Sequence, residues 1–336
     1  MNREFFVFGR IILFCSPFIL IVGFYIFKDP FMVLYHHKDY NEAFYINKNN
    51  DFVATEKYLE NSKVINYDSF IIGSSTTRFF SPTDWKGYIK KYNEVFCFDA
   101  SSENIVGIWS KIKYISLHNS HIKNALLIFD TDATFMRFEN DSPLLMKHYK
   151  IYPSSKLNFH YKYFLNFIDF RFLIRFIHYR LTNKYYAYME DFLLEDYYYY
   201  DNITNEYFNV DILNELRIDS ISYYSLRKDN FGRRSGKYTE SDAQITQEHI
   251  TMLSDIRNIF TQDSTYFRII IGPAYNQVAF NREDLNIIQT IFGQPNVFDF
   301  SGINEFSEQQ SNFYDEFHFK KYVAKEILDI AYSENR

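Results

Sequence analysis

The sequence predicts an α/β protein: a parallel sheet of five strands with helices on both faces, a flavodoxin-like three-layer arrangement. Three observations lead there. Short apolar runs rich in β-branched and aromatic residues recur along the chain and end at Gly, Asp or Pro. Between them lie stretches whose apolar residues fall three and four apart, the spacing of an amphipathic helix. Strands that alternate with helices are joined by crossovers, and crossovers give parallel sheets covered on both sides.

The first expected strand is Tyr67–Ile72, closed by Gly73 and followed by Ser74, Ser75, Thr76 and Thr77. Small hydroxyl residues suit a helix cap, so the spacing predicts a strand that turns sharply into a helix at Ser75. Val95–Phe98 reads as the second strand. A helix from about Glu103 follows it, with Ile105, Ile108, Trp109, Ile112 and Ile115 on one stripe. Ala125–Phe129 is the third strand and ends at Asp130-Thr131-Asp132; Phe267–Ile271 is the fourth and Val297–Phe300 the fifth. Ile245, Met252, Leu253, Ile256 and Phe260 mark a helix before the fourth strand, and residues 281–292 another after it. The last helix runs from about Phe319 to Tyr332 with Val323, Ile327 and Ile330 inward.

Two stretches stand outside this rhythm. Residues 11–27 carry no charge; as a helix they span about 25 Å, and Phe5–Gly9 extends them to bilayer thickness. Arg3 and Arg10 precede the run while Lys28 and Asp29 cancel after it. The positive-inside rule then predicts a retained transmembrane signal anchor over 1–30 with a cytoplasmic N-terminus. The alternative is a buried soluble helix. Residues 31–65 read as a stalk or linker that lies down on the domain, and 66–335 as the α/β domain. The second stretch is an aromatic-rich helical insertion at about 135–240, between the third and fourth strands. There it would lie over the carboxyl edge of the sheet as a lid or substrate platform. Its Tyr and Phe residues read first as the packing of an aromatic-rich helical hairpin; stacking on sugar rings and a partly membrane-lying helix are the alternatives.

At the far end of the chain Asp315 stands three residues before His318, and of nine histidines this one alone has an acid at that spacing. A serine hydroxyl needs a base to take its proton, and the base works best when a carboxylate fixes its tautomer. Gly73-x-Ser75 after the first strand, with Asp315-x-x-His318 before the last helix, resembles the SGNH/GDSL hydrolases, most closely their membrane-anchored members in bacterial cell envelopes. The resemblance covers roughly 65–335. It implies a Ser75, His318, Asp315 triad and three oxyanion donors: the Ser75 N–H, a glycine N–H after the second strand and an asparagine after the third. The sequence has Ser101 and Ser102 where the glycine belongs, and Asp130-Thr131-Asp132 where the asparagine belongs. Either Thr131 substitutes, or Asn104 reaches in, or the oxyanion hole is incomplete. Arg78, one turn beyond Ser75, is a candidate contact for an anionic substrate group or a partner for a nearby acid.

The implied function is a membrane-anchored serine esterase or O-acyltransferase acting on an acylated cell-envelope glycan, on the extracytoplasmic side. Its partners would be the membrane, the acyl donor or glycan, and envelope-assembly proteins. A catalytically inactive scaffold or glycan-binding relative is the alternative. The net charge of −6 argues against a nucleic-acid-binding face, and the sequence holds no nucleotide-binding glycine loop. No cofactor or metal is expected: His118-x-x-His121 is a lone pair without a third ligand, and His36-His37 point apart on any regular element. Cys15 and Cys97 are poorly placed to pair.

Overall fold

A computed structural model describes residues 3–42, 46–92, 94–118, 121–136, 142–190, 193 and 198–333. In chain order the helices are α1 (Arg3–Lys28), α2 (Asn50–Asn61), α3 (Pro82–Trp85), α4 (Ile105–His118), α5 (Lys156–Ile168), α6 (Phe170–Thr182), α7 (Val210–Leu226), α8 (Gln247–Gln262), α9 (Arg282–Phe292), α10 (Glu305–Glu308) and α11 (Lys321–Ala331). The strands are β1 (Tyr67–Gly73), β2 (Glu94–Asp99), β3 (Asn124–Phe129), β4 (Tyr198–Tyr200), β5 (Tyr207–Asn209), β6 (Thr239–Glu240), β7 (Tyr266–Ile271), β8 (Val278–Ala279) and β9 (Val297–Asp299). They form two compact units: Met1–Lys48 with Ser154–Tyr197, and Asn49–Pro153 with Tyr198–Arg336.

The larger unit is a three-layer α/β fold. Its five strands run parallel in the order β2-β1-β3-β7-β9, which is the 2-1-3-4-5 order of flavodoxin-type sheets. Alternate side chains feed two cores, as the pleat requires. Phe70, Ile72, Phe96, Phe98, Leu127 and Ile269 face α2, α4, α8 and α9. Ile71, Val95, Cys97, Leu126, Ile128 and Ile270 face α3, α10 and α11. These strands are almost wholly buried, so their side chains are apolar on both faces, as a covered parallel sheet demands.

Three expectations change in detail. Ile330, expected inward, is 42% exposed, and Ala324, Leu328 and Ala331 complete the buried stripe of α11 instead. The chain turns after Gly73 into a 3-10 turn over Ser75–Phe79, not an α-helix. The stretch read as a stalk includes α2, whose Phe52, Val53, Ala54 and Tyr58 are buried. Three of its charges, Asp51, Glu56 and Lys57, are buried too: Asp51 sits 2.6 Å from Lys111, and Lys111 also bonds Glu103. Paired charges on a buried helix look like surface charges in a sequence, which is why α2 read as linker.

The smaller unit gathers the N-terminal segment with the first part of the insertion. Phe164 and Phe167 of α5 pack on Phe18, Phe24 and Tyr25 of α1, and Phe172 of α6 stacks on Phe31. Those aromatics therefore serve helix packing. The segment expected to span a membrane is one continuous helix. Among the described residues, however, no helix is long and apolar enough to cross a membrane. The expected span also begins on side chains that lie outside the described ones (1–6, 8, 9, 11 and 12).

Candidate active site

The corner after β1 is made by close approach. A Cβ on Gly73 would lie 2.4 Å from the Ile128 carbonyl of the neighbouring strand, so this position admits only glycine without moving β3. The chain then enters the 3-10 turn with Ser75 first and half-buried. Its N–H belongs to the first turn, where helical donors lack intrahelical partners.

His318 arrives from the loop between α10 and α11. A bridge between Phe313 and Phe319 pinches this loop, and the Tyr314 N–H donates to the His318 carbonyl at 2.7 Å. Within it Asp315 accepts from the N–H groups of Phe317 (2.9 Å) and His318 (3.0 Å), a local turn that a short carboxylate favours. The same carboxylate holds the imidazole: His318 Nδ1 lies 2.7 Å from Asp315 Oδ2 and 2.9 Å from Oδ1. On the ring's other side, His318 Nε2 lies 2.8 Å from Ser75 Oγ. Two segments 243 residues apart thus bring hydroxyl, imidazole and carboxylate into one chain of hydrogen bonds. Burial works to raise the Asp315 carboxyl, but hydrogen bonding and the charge of His318 outweigh it and hold the group below its ordinary value.

Residues that the sequence did not point to steady the loop. Tyr223 and Tyr224 of α7 donate their hydroxyls to the carbonyls of Tyr314 and Phe313, each at 3.0 Å. The Glu316 N–H donates to the Asn230 carbonyl at 3.1 Å, and the Phe79 ring lies 5.7 Å from the His318 ring. The insertion therefore contributes to the site through its second half, as a brace.

The expected substrate contacts divide. Arg78 donates from Nε to Asp99 Oδ2 at 3.0 Å and from Nη2 to Ser101 Oγ at 3.2 Å, while the Tyr200 hydroxyl bonds the same Asp99 oxygen at 2.5 Å. Arg78 is thus tied into an ion pair with a buried carboxylate at the end of β2. Asn104 caps α4 by accepting from the Gly107 N–H at 3.2 Å. Ser102 is exposed in a left-handed conformation (φ 49°). Thr131 stays at the site. It lines a cleft of about 230 Å³ with Thr76, Asp130, Asp132, Gln244, Asn276 and Phe317, and its buried hydroxyl has no hydrogen-bond partner among the described residues.

Asp130 stands at the carboxyl end of β3. It accepts from the hydroxyls of Ser74 and of Thr76 (2.7 Å), the neighbours of Ser75 on either side. Burial first, and then the negative charge of Asp132, push its carboxyl up to about 6 against those hydrogen bonds. The two histidines considered for a metal are otherwise engaged: His118 Nδ1 lies 3.0 Å from the Tyr114 carbonyl and His121 Nδ1 lies 3.0 Å from Asp263. No protein-family model matches the chain, and no curated protein matches it either.

Proposed function

We propose that this chain is a membrane-held serine esterase or O-acyltransferase of the SGNH-hydrolase type, acting on ester groups of a cell-envelope glycan or polysaccharide. The observation that carries the reading is the continuous contact from Ser75 Oγ to His318 Nε2 (2.8 Å) and from His318 Nδ1 to Asp315 (2.7 Å). With Nδ1–H donated to Asp315, the Nε2 lone pair faces the Ser75 hydroxyl. Ser75 Oγ bonds the ester carbon as its proton passes to Nε2, and the carbonyl π pair moves to oxygen. The Ser75 N–H is the donor proposed for that oxyanion. Each well-aimed donor is worth about 3–4 kcal/mol of barrier. Collapse expels the alcohol with the proton from Nε2; water or a sugar hydroxyl then repeats the cycle on the acyl-serine.

The cleft beside the triad offers two carboxylates, Asp130 and Asp132, and no Lys or Arg among its lining residues. Neutral or cationic acyl groups and acceptors suit it better than anionic ones. Extracytoplasmic placement, with a cytoplasmic N-terminus and α1 in the membrane, belongs to the same reading; the uncharged run 11–27 behind Arg3 and Arg10 supports it.

Labelling of the full chain with a serine-reactive fluorophosphonate tests the reading. Wild type labels, and Ser75→Ala and His318→Ala do not. Absence of labelling in wild type, or equal labelling of Ser75→Ala, overturns it. One observation favours a second reading, a non-catalytic envelope scaffold or glycan-binding protein. Asp130 sets a carboxylate at the strand end where the resemblance calls for an asparagine donor. Ester hydrolysis that disappears in His318→Ala excludes that alternative.

A further inference from the structure

The smaller unit exposes apolar side chains in an order that a water-facing surface does not use. In α6 the buried stripe is Phe172 and Phe176. On the opposite side of the helix Phe170, Ile174, Ile177 and Leu181 are exposed, spaced four, three and four apart. In α5, Phe159, Tyr163 and Phe167 are buried, while Leu157, Tyr161, Leu165 and Ile168 are exposed on the other side. Both helices are therefore apolar on two faces, one against the unit and one exposed among the described residues. In α1, Leu13, Phe14, Phe18, Ile19, Leu20 and Phe27 are exposed as well. A helix that is apolar all round belongs in a core or in lipid.

Charge decides between occupants. Residues 154–184 carry Lys156, Lys162, Arg171, Arg175, Arg180 and Lys184 against Asp169 alone, in a chain whose net charge is −6. On α6 the cations flank the exposed apolar stripe on both sides, Arg171 and Arg175 on one and Arg180 on the other. At the C-terminal end of α1, Lys28 and Arg180 meet with Tyr179 and His37 around a cleft of about 350 Å³. Asp29 shares that cleft, but its carboxylate is committed to the N–H groups of Val33, Leu34 and Tyr35 and to His37. Apolar stripes edged by Arg and Lys match an anionic bilayer surface, acyl chains inside and phosphates at the rim. A second copy of the chain would bring the same excess of positive charge against itself.

We infer that the α5–α6 hairpin is a second membrane contact, lying in the interface of an anionic phospholipid bilayer with the Phe170–Leu181 face in the acyl region. This makes attachment two-point, by α1 and by the hairpin, and it stands independently of the Ser75 chemistry.

The test uses the full chain reconstituted into vesicles of phosphatidylcholine with or without phosphatidylglycerol. In a Cys15→Ser background an environment-sensitive probe is attached at Leu181→Cys, or at Tyr238→Cys as an exposed control in the other unit. The Leu181 probe is expected to shift to shorter wavelength and to be quenched by spin-labelled lipid in anionic vesicles, while the Tyr238 probe is not. Arg180→Gln with Lys184→Gln weakens hairpin association about fivefold per cation, an effect that high salt mimics. A Leu181 probe that stays in water in both lipids overturns the inference. So does shielding that appears without lipid and grows with protein concentration, which identifies another copy of the chain as the occupant.

Discussion

Replacing Asp130 by Asn should stabilise the larger unit at neutral pH and leave it almost unchanged in acid. Asp130 titrates at about 6 in the fold against an ordinary 3.8, because burial and Asp132 disfavour its charge more than the Ser74 and Thr76 hydroxyls favour it. This is the reverse of the usual carboxylate. Between pH 3.8 and about 6 the folded chain holds a proton that the unfolded chain has released, so stability falls as pH rises through that window. Above it both states are ionised and the full cost of the buried charge is present. The gap of about 2 pH units corresponds to about 3 kcal/mol. Because Asp130 is only half-buried, solvent screening reduces the expected gain to about 1–3 kcal/mol. Asn keeps the shape and can still bond both hydroxyls: one goes on donating to the amide oxygen, and the other rotates to accept from the amide nitrogen.

The assay is guanidinium or thermal unfolding of wild type and Asp130→Asn at pH 7.5 and pH 4. The gain at pH 7.5 should appear as a midpoint shift of about 2–4 °C per kcal/mol, and at pH 4 it should nearly vanish. An equal gain at both pH values would show that the effect is packing and not charge. A loss at pH 7.5 would refute the reasoning outright, because it would mean that the ionised carboxylate holds the corner together.

Asp315→Asn keeps the turn but offers His318 Nδ1 a mixed partner, so turnover of an activated ester should fall by about 10³–10⁴-fold with the unfolding midpoint little changed. Tyr223→Phe combined with Tyr224→Phe removes two hydroxyls from the histidine loop. Each bond contributes about 1 kcal/mol, and fluorophosphonate labelling should slow while far-UV circular dichroism stays the same. Lys111→Met leaves Asp51 in the core without its cation and takes one of two lysines from Glu103, and should cost about 3–5 kcal/mol in denaturant titration. A loss below about 1 kcal/mol would mean that water reaches those carboxylates.

The parts of the fold legible in the sequence are those whose cause is local. The five sheet strands announce themselves as short apolar runs because a strand covered on both faces carries few polar side chains, and polar ones here, such as Asp68, Asn124 and Arg268, stand near the strand starts. Ser75 and the Asp315–His318 pair were legible for a similar reason: one sits at a strand end beside a glycine that β3 forces, the other closes a single turn of chain. What could not be read depends on pairings across long separations. Arg78 had no visible partner, because Asp99 comes beside it only when β1 and β2 align Gly73 with Asp99. Asn104 read as a donor that reaches into the oxyanion hole, and the helix start at Ile105 makes it a cap instead. The α5–α6 aromatics were legible as helix packing, but not what they pack on, because Phe18, Phe24, Tyr25 and Phe31 lie more than 130 residues earlier.

On the proposed reading, the corner around Ser75 departs from the family pattern while keeping its serine, base and carboxylate together. An asparagine at the end of β3 would supply one oxyanion donor. Asp130 instead accepts one hydroxyl from each neighbour of Ser75, which fixes the serine from both sides. Next to Asp130 the Thr131 hydroxyl is buried and has no hydrogen-bond partner among the described residues. On the proposed chemistry this arrangement trades oxyanion stabilisation for a rigid nucleophile. A carboxylate beside the developing charge slows attack on any ester, and more so on an anionic one. The same carboxylate, protonated near pH 6, ceases to oppose it. Catalysis in Asp130→Asn should therefore be faster than in wild type at pH 7.5 and equal to it in mild acid. A degenerate site predicts no turnover in either chain.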